Sequence, residues 1–291
     1  MNITALDNEL QVKLQNIKLF FENKKIVVAF SGGVDSTVVM ELAHQFSLKA
    51  IAVTADSITI LPGEVEKATE LALERGYEHR IYQINELEDE NFAKNPNNRC
   101  YYCKSGLADI LKVVAVEIDA DLIVEGTNIT EISGHRPGLE AIKENNIKSP
   151  LLDFGLTKSE IRELATYFKL SNAQKPSLAC LSSRFPTGIR ITPEKLIRVG
   201  KAENYLISKY NIQILRVRDH EGLARIEISP DERHKILNEK VLDDIFEKFT
   251  EFGFNFVTID CRGYKTGSLS EMNNTISDGS KLLSTNDIEI I

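Results

Sequence analysis

The sequence predicts an α/β protein: a parallel sheet covered by helices on both faces, followed by a smaller α+β module. Strand-length apolar runs alternate with amphipathic helical stretches from residue 7 to about residue 170, the pattern of crossover-connected parallel strands. The first of these runs, KIVVAF, is apolar from Ile26 to Phe30, as a strand buried on both faces is. From about residue 190 the order changes, and QILRVRDH and LARIEIS follow each other with only a short turn between them.

Residues 7 to 23 read as a helix, with Leu10, Leu14, Ile17 and Phe20 on one face. KKIVVAF is the first strand, SGGVDS a turn, and TVVMELAHQF a helix. KAIAVTADS is the second strand. PGEVEKATELALER, residues 62 to 75, is a helix with Pro62 near its start and Gly76 as its stop. HRIYQIN is the third strand, and residues 86 to 99, with NPNN, read as a loop. CYYCKSGLADILKVVAVEI is a helix that opens at a CxxC, and DLIVEGTN is the fourth strand. SGHRPGL is a loop, KSPLLDF a short fifth strand, and KSEIRELATYFKL a helix. Ligands of such sheets bind beyond the carboxyl ends of the strands, which places Ser31, Ala55, Asn85 and Gly126 at the candidate rim.

In the second part TPEKLIRVGKAENYLISKY is helical, and the two strands that follow meet at Glu221-Gly222. SPDERHKILNEKVLDDIFEKF reads as one helix capped by Ser229, and FNFVTIDCRGY as a last strand, giving an antiparallel module. The expected division is residues 1–189, 190–270, and a poorly ordered tail over 271–291, where Ser, Thr and Asn dominate.

Composition narrows the function. No apolar run reaches the ~18 residues of a membrane span, and the amphipathic start MNITALDNELQVKLQNIKLFF has no compact apolar core of a signal peptide. A cytoplasmic protein without membrane partners is the expectation. The net charge of −8 argues against a basic nucleic-acid-binding surface. With no secretion signal, the four cysteines do not read as a disulfide framework; the Cys100/Cys103 pair points to metal, a cluster or redox chemistry.

SGGVDS is neither GxxxxGK[ST] nor GxGxxG. Small residues between a strand and a helix expose backbone N–H groups, and Ser31 and Ser36 add hydroxyl donors. Asp35, itself an anion, cannot hold phosphate directly but can hold Mg²⁺ between phosphates. The plain alternative is a Gly-Gly turn with an Asp/Ser helix cap. The loop, with Ser31, Gly32, Gly33, Asp35 and Ser36, resembles that of the N-type ATP pyrophosphatases, the PP-loop enzymes. That resemblance implies an adenine nucleotide alpha hydrolase-like fold and ATP cleaved between its α and β phosphates. Val53, Thr54, Ala55 and Ser57, with Gly126, Thr127 and Asn128, would then flank the adenosine.

KPSLACLSSRFPTG, residues 175 to 188, has no hydrophobic period and ends in Pro-x-Gly, a loop. A cysteine there, near Lys175 and Arg184, would have a lowered pKa; an isolated Cys180 would otherwise be a small core residue. FSGGVDSTVV, NRCYYCK, EGTN, KPSLACLSSRFPTG, LRVRDH and YKTGSL together resemble the LarE family, ATP-dependent sulfur transferases that make the nickel-pincer nucleotide. The resemblance implies a substrate, pyridinium-3,5-biscarboxylic acid mononucleotide, whose carboxylates are adenylated and converted to thiocarboxylates. Arg216 and Arg218, alternate residues of one strand and so on one face, would grip its phosphate or carboxylate; otherwise they form a solvated strand face.

The family has two sulfur sources. Some members sacrifice the sulfur of the cysteine equivalent to Cys180. Others carry the CxxC as well, and Cys100, Cys103 and Cys180 would then hold a 4Fe–4S cluster whose fourth iron takes hydrosulfide from a sulfide donor. All three cysteines are present, which places this chain with the second group. A zinc half-site or a redox pair is the alternative for the CxxC, and Cys261 is expected to be a strand core residue. The resemblance also implies a homo-oligomer, a hexamer, with subunit contacts built by the small module. A tRNA thiolase is disfavoured by the acidic charge. An ammonia-using synthetase, or a nucleotide-sensing module, would leave the cysteines unexplained.

Overall fold

A computed structural model describes residues 6–131, 136–176 and 179–264. The expected tail over 271–291 lies outside the described residues, as do Ser177 and Leu178 of the cysteine loop and part of SGHRPGL. The chain divides into two compact units, Met1–Ser182 with Thr187–Leu196, and Ser183–Pro186 with Ile197–Ile291.

The first unit runs α1 (Asn8–Phe21), β1 (Lys25–Ala29), α2 (Val34–Phe46), β2 (Lys49–Asp56), α3 (Glu64–Arg75), β3 (Glu78–Gln83), α4 (Glu90–Ala93), α5 (Arg99–Glu117), β4 (Leu122–Val124), α6 (Pro137–Glu144), α7 (Pro150–Asp153) and α8 (Lys158–Tyr167). Its four strands are parallel, in the order β3-β2-β1-β4. Side chains alternate across the pleat. Ile26, Val28, Ala50 and Ala52 pack with residues of α1, α2 and α8 on one face. Val27, Ile51 and Val53 pack with Ala108, Leu111 and Val114 of α5 and Ile142 of α6 on the other. Burial on both faces is why the stretch from Ile26 to Phe30 carries no polar residue, while Lys25 at the strand start is not buried.

Two expectations in this unit are corrected. KSPLLDF forms no fifth strand: only Lys148 bridges to Val124, and the chain then turns into α7 with Pro150 in its first turn. Proline has no N–H for a ladder, but its fixed φ suits a helix start. Residues 86–99 are not simply a loop. They hold a 3₁₀ turn at Glu86–Glu88 and the short α4, whose N-cap Asp89 accepts from the Asn91 N–H at 2.8 Å.

The second unit carries most of α9 (Pro193–Tyr210), then β5 (Leu215–His220), β6 (Leu223–Ile228), α10 (Glu239–Glu251) and β7 (Phe256–Ile259). β5 and β6 are antiparallel across a turn in which Glu221 and Gly222 both have positive φ, 55° and 100°, the two-residue hairpin geometry. β6 and β7 are parallel, so the sheet is mixed rather than antiparallel. The intervening α10 supplies the crossover that parallel neighbours need. The single helix expected over 229–249 is two pieces, a 3₁₀ segment at Pro230–Lys235 and α10. Ser229 makes no capping bond; Asn238 does, accepting from the Lys240 N–H at 3.1 Å. Asparagine competes well at an N-cap and poorly inside a helix, which places the break.

Candidate active site

The phosphate-loop candidate sits where β1 hands over to α2. Phe30 still bonds β2 through Val53 O at 2.8 Å; then Gly32 turns the chain with φ +67° and Gly33 caps α2. A Cβ on Gly32 would lie 2.8 Å from the Ala68 Cβ of α3, so both conformation and space demand glycine. The hydroxyls are tied into the turn. Ser36 Oγ donates to Gly33 O at 3.1 Å and accepts from the Ser31 N–H at 3.2 Å; Ser31 Oγ lies 3.1 Å from it, and Thr37 Oγ1 donates to Gly33 O at 2.8 Å. The helix therefore begins inside the motif, with Asp35 and Ser36 in its first turn, where unpaired N–H groups favour an anion.

The end of β4 closes on this turn. A Cβ on Gly126 would sit 2.8 Å from Ser36 N, which explains the glycine of EGTN. Thr127 folds back on Glu125, its N–H at 3.0 Å and its hydroxyl at 2.8 Å. Asn128, fully buried, donates to Asp35 Oδ1 at 3.4 Å. On Asp35 Oδ2 sits the ammonium of Lys158, at 2.5 Å. Lys158, in the first turn of α8, escaped the sequence reading because a lysine at a helix start is unremarkable. The available signal was the loop itself, which has no cation of its own.

On β2, Val53 is 1% exposed with its side chain in the core, and Thr54 is spent on Phe30 O at 2.6 Å. Ala55, half-buried, and Ser57 lie nearer the strand end. Ser57 and Thr59 donate to the carboxylate of Glu86, a second residue the sequence reading missed. Glu86 is buried and, among the described residues, has no cation in ion-pair reach; its third neighbour is Cys103 Sγ, 3.9 Å away.

Cys100 and Cys103 share a face of the first turn of α5, three residues apart; Cys100 and Cys180 are exposed and Cys103 half-buried. Burial, then the neighbouring Cys180, Glu86 and Cys100, push the Cys103 thiol up to about 12. The loop cysteine has therefore come next to the CxxC from 77 positions away along the chain. Downstream of it, the Leu181 N–H donates to Thr59 O at 2.7 Å. Among the described residues, no group of three or more Cys, His, Asp and Glu is gathered tightly enough to hold a metal ion. The three thiols fit a cluster in kind and in neighbourhood, without forming closed ligand geometry.

Several site expectations need correction. The cations thought to activate Cys180 are engaged elsewhere: Lys175 pairs with Glu64 at 2.6 Å, and Arg184, 1% exposed, with Glu203 at 2.7 Å. Cys261 is neither buried nor in a strand; it is exposed in the turn after β7. Arg216 and Arg218 are not a solvated face but are buried in the second unit. Arg218 pairs with Glu227 at 2.9 Å and donates to Ser183 O at 2.8 Å. Arg216 stacks 4.8 Å from the Tyr264 ring centroid and has no carboxylate in ion-pair reach among the described residues. Burial, and next the charge of Arg184, pull its pKa below the ordinary arginine value.

Known proteins extend this picture. Residues 3–101 match the NAD synthase family. An uncharacterized protein of Synechocystis is 40% identical over 90% of this chain and 98% of its own length, and one from Methanocaldococcus jannaschii 33% identical over 88% and 97%. The pyridinium-3,5-bisthiocarboxylic acid mononucleotide synthase of Lactiplantibacillus plantarum is 31% identical over 85% of this chain and 90% of its own. That likeness is long enough to span both units. The chain belongs to the LarE family of ATP-dependent sulfurtransferases within the PP-loop ATP pyrophosphatases.

Proposed function

We propose that this enzyme adenylates the carboxylates of pyridinium-3,5-biscarboxylic acid mononucleotide and replaces each AMP by sulfur, giving thiocarboxylates for a nickel-pincer nucleotide. The observation that carries the sulfur step is that Cys180 from the loop and Cys100 both lie close enough to Cys103 to act on its thiol. A substrate carboxylate oxygen attacks the α-phosphorus and pyrophosphate leaves. A sulfur nucleophile then attacks the acyl carbon, and AMP departs with the carboxylate oxygen. Asp35 would hold Mg²⁺ against the polyphosphate, and the Lys158 ammonium it displaces would remain beside the phosphates. The N–H groups of Gly33 and the first turn of α2, with Ser31 and Ser36, would bind the phosphate anion. Ala55, Gly126 and Asn128, and Val53 through its backbone alone, would border the adenosine. Arg216 would bind the substrate's phosphate or carboxylate, since its charge lacks the carboxylate that Arg218 has.

Cys100, Cys103 and Cys180 would hold a 4Fe–4S cluster, which when bound supplies an iron free of protein thiolate for a sulfide from an external donor. The chain's own part would be to bring the thiols of Cys100 and Cys180 to a half-buried Cys103. The rival source is the sulfur of Cys180 itself, favoured by its exposure. An anaerobic absorption spectrum with iron and sulfide analysis tests the reading: about four irons per chain in the wild type, with loss in Cys100→Ala and Cys103→Ala. Iron-free protein that still transfers sulfur would sink the cluster and leave the sacrificial route. We also read the enzyme as a cytoplasmic homo-oligomer, which light scattering checks; a fully active monomer would refute the assembly.

A further inference from the structure

Lys175 stands at an unusual junction. Its ammonium donates to the carbonyl of Gly32, in the phosphate loop, at 3.1 Å, and pairs with Glu64, in the first turn of α3, at 2.6 Å. Asn172 donates to the same carbonyl at 3.1 Å and to Thr37 Oγ1 at 2.9 Å. The stretch carrying both is itself held from α8, whose Arg162 donates to Ala173 O at 2.7 Å and Lys175 O at 3.1 Å. Glu64 is buried, and although burial alone would raise its pKa, Lys175 and then Lys67 hold it below the usual carboxylate range. Lys175 is thus a fixed cation, not a solvated one.

Two consequences follow from covalent geometry. In a planar trans peptide the C=O and the next N–H point in opposite directions. Two donors on the Gly32 carbonyl therefore fix the direction of the Gly33 N–H, which points to Ser31 Oγ at 3.4 Å and belongs to the N-cap residue of α2, where phosphate would bind. Lys175 also lies five residues before Cys180, and Leu181, just after it, is tied to Thr59 O. The cysteine is therefore flanked by one anchor on the phosphate loop and one beyond β2.

We propose that Lys175 is a positioning residue that couples occupancy of the phosphate loop to the placement of Cys180. A phosphate accepting from the Gly33 N–H polarises that peptide and strengthens the bonds to its carbonyl, so nucleotide tightens the upstream anchor. Reciprocally, a well-placed cysteine segment favours the nucleotide-ready loop. The coupling would hold sulfur transfer back until ATP is bound. It rests on the adenylation reading above.

Hydrogen exchange followed by mass spectrometry on the full-length protein, with and without Mg²⁺ and α,β-methylene-ATP, tests it. In the wild type the analogue is expected to slow exchange of the Leu181 amide about fivefold or more, the lower range of measured couplings. In Lys175→Met the analogue should still bind but the slowing should vanish; Lys175→Arg should keep it. Sulfur transfer per pyrophosphate released should fall about tenfold in Lys175→Met only. Should the Met variant fail to fold in a thermal melt, Glu64→Gln, which removes the charge holding Lys175, is expected to give the same loss of slowing. Slowing that persists in the Met variant, or in Glu64→Gln where that is the variant read, overturns the coupling. So does a parallel loss of pyrophosphate release and sulfur transfer, which would make Lys175 a phosphate ligand. A wild type that binds the analogue and releases pyrophosphate with no change at Leu181 refutes the coupling alone. A wild type that binds no nucleotide removes the adenylation reading as well.

Discussion

Asp35 accepts from Lys158 on one oxygen and from Asn128 on the other. Its carboxylate is thus already held for a cation, and Asp35→Ala should cut magnesium-dependent pyrophosphate release by on the order of 100-fold or more; a pyrophosphate assay with ATP and the dicarboxylated nucleotide checks this. Gly126 carries a different constraint. Its missing Cβ leaves room for Ser36 N, so Gly126→Ala must push the start of α2 away from β4. A shift of about 1 Å at a catalytic group costs about 100-fold, and the expected result is a folded protein with ATP turnover lowered by up to that factor. Normal turnover would mean that the two segments separate at no cost. Gly126 and Asp35 stand out in the sequence because motif and turn chemistry coincide there. Lys158 and Glu86 do not, since each acquires its role only from a partner 123 or 17 positions away.

At the scale of elements, α8 presents Lys158 to the loop from a capped first turn. Thr157 and Glu160 form a reciprocal capping box, so Thr157→Ala should cost about 1 kcal/mol and lower the melting temperature by about 2–4 °C. α2 is joined to α3 and to Tyr77, just before β3, by Glu41, which accepts from Arg75 at 2.7 and 3.0 Å and from the Tyr77 hydroxyl. Burial alone would raise the Glu41 carboxyl, yet Arg75 and Tyr77 outweigh it and hold the pKa below the ordinary value of 4.5. A lowered folded pKa makes the ion pair's contribution complete above the unfolded value, and lost as pH falls through the folded one. Denaturant titrations should therefore show stability falling below about pH 4.5 in the wild type. Glu41→Gln should start about 3 kcal/mol lower and decline less steeply over that window. An equally steep decline would assign the acid sensitivity to other carboxylates.

For the whole molecule the open quantity is the sulfur balance. If sulfur arrives from outside, the mass of the protein is unchanged after several turnovers with added sulfide. If Cys180 is consumed, the mass falls by about one H₂S at that residue and the enzyme stops after one event, as elimination from a thiol requires. Intact-protein and peptide mass spectrometry after turnover decide between the two.

The sequence by itself determined the alternating parallel architecture, the β1–α2 phosphate loop, the helix opening at the CxxC and the family, because these rest on local periodicity and contiguous motifs. It misjudged KSPLLDF, where apolar character suits a strand or a buried helical turn equally and Pro150 decides. It misjudged the stretch after Ser229, where two capping residues competed and Asn238 won. It also could not say which cations serve which anions. Lys175 stands near Cys180 in the chain but is drawn to Glu64 and Gly32, and Arg184 is buried against Glu203. A charge follows the partner that best compensates its burial, and that partner is chosen by packing in three dimensions, not by distance along the chain.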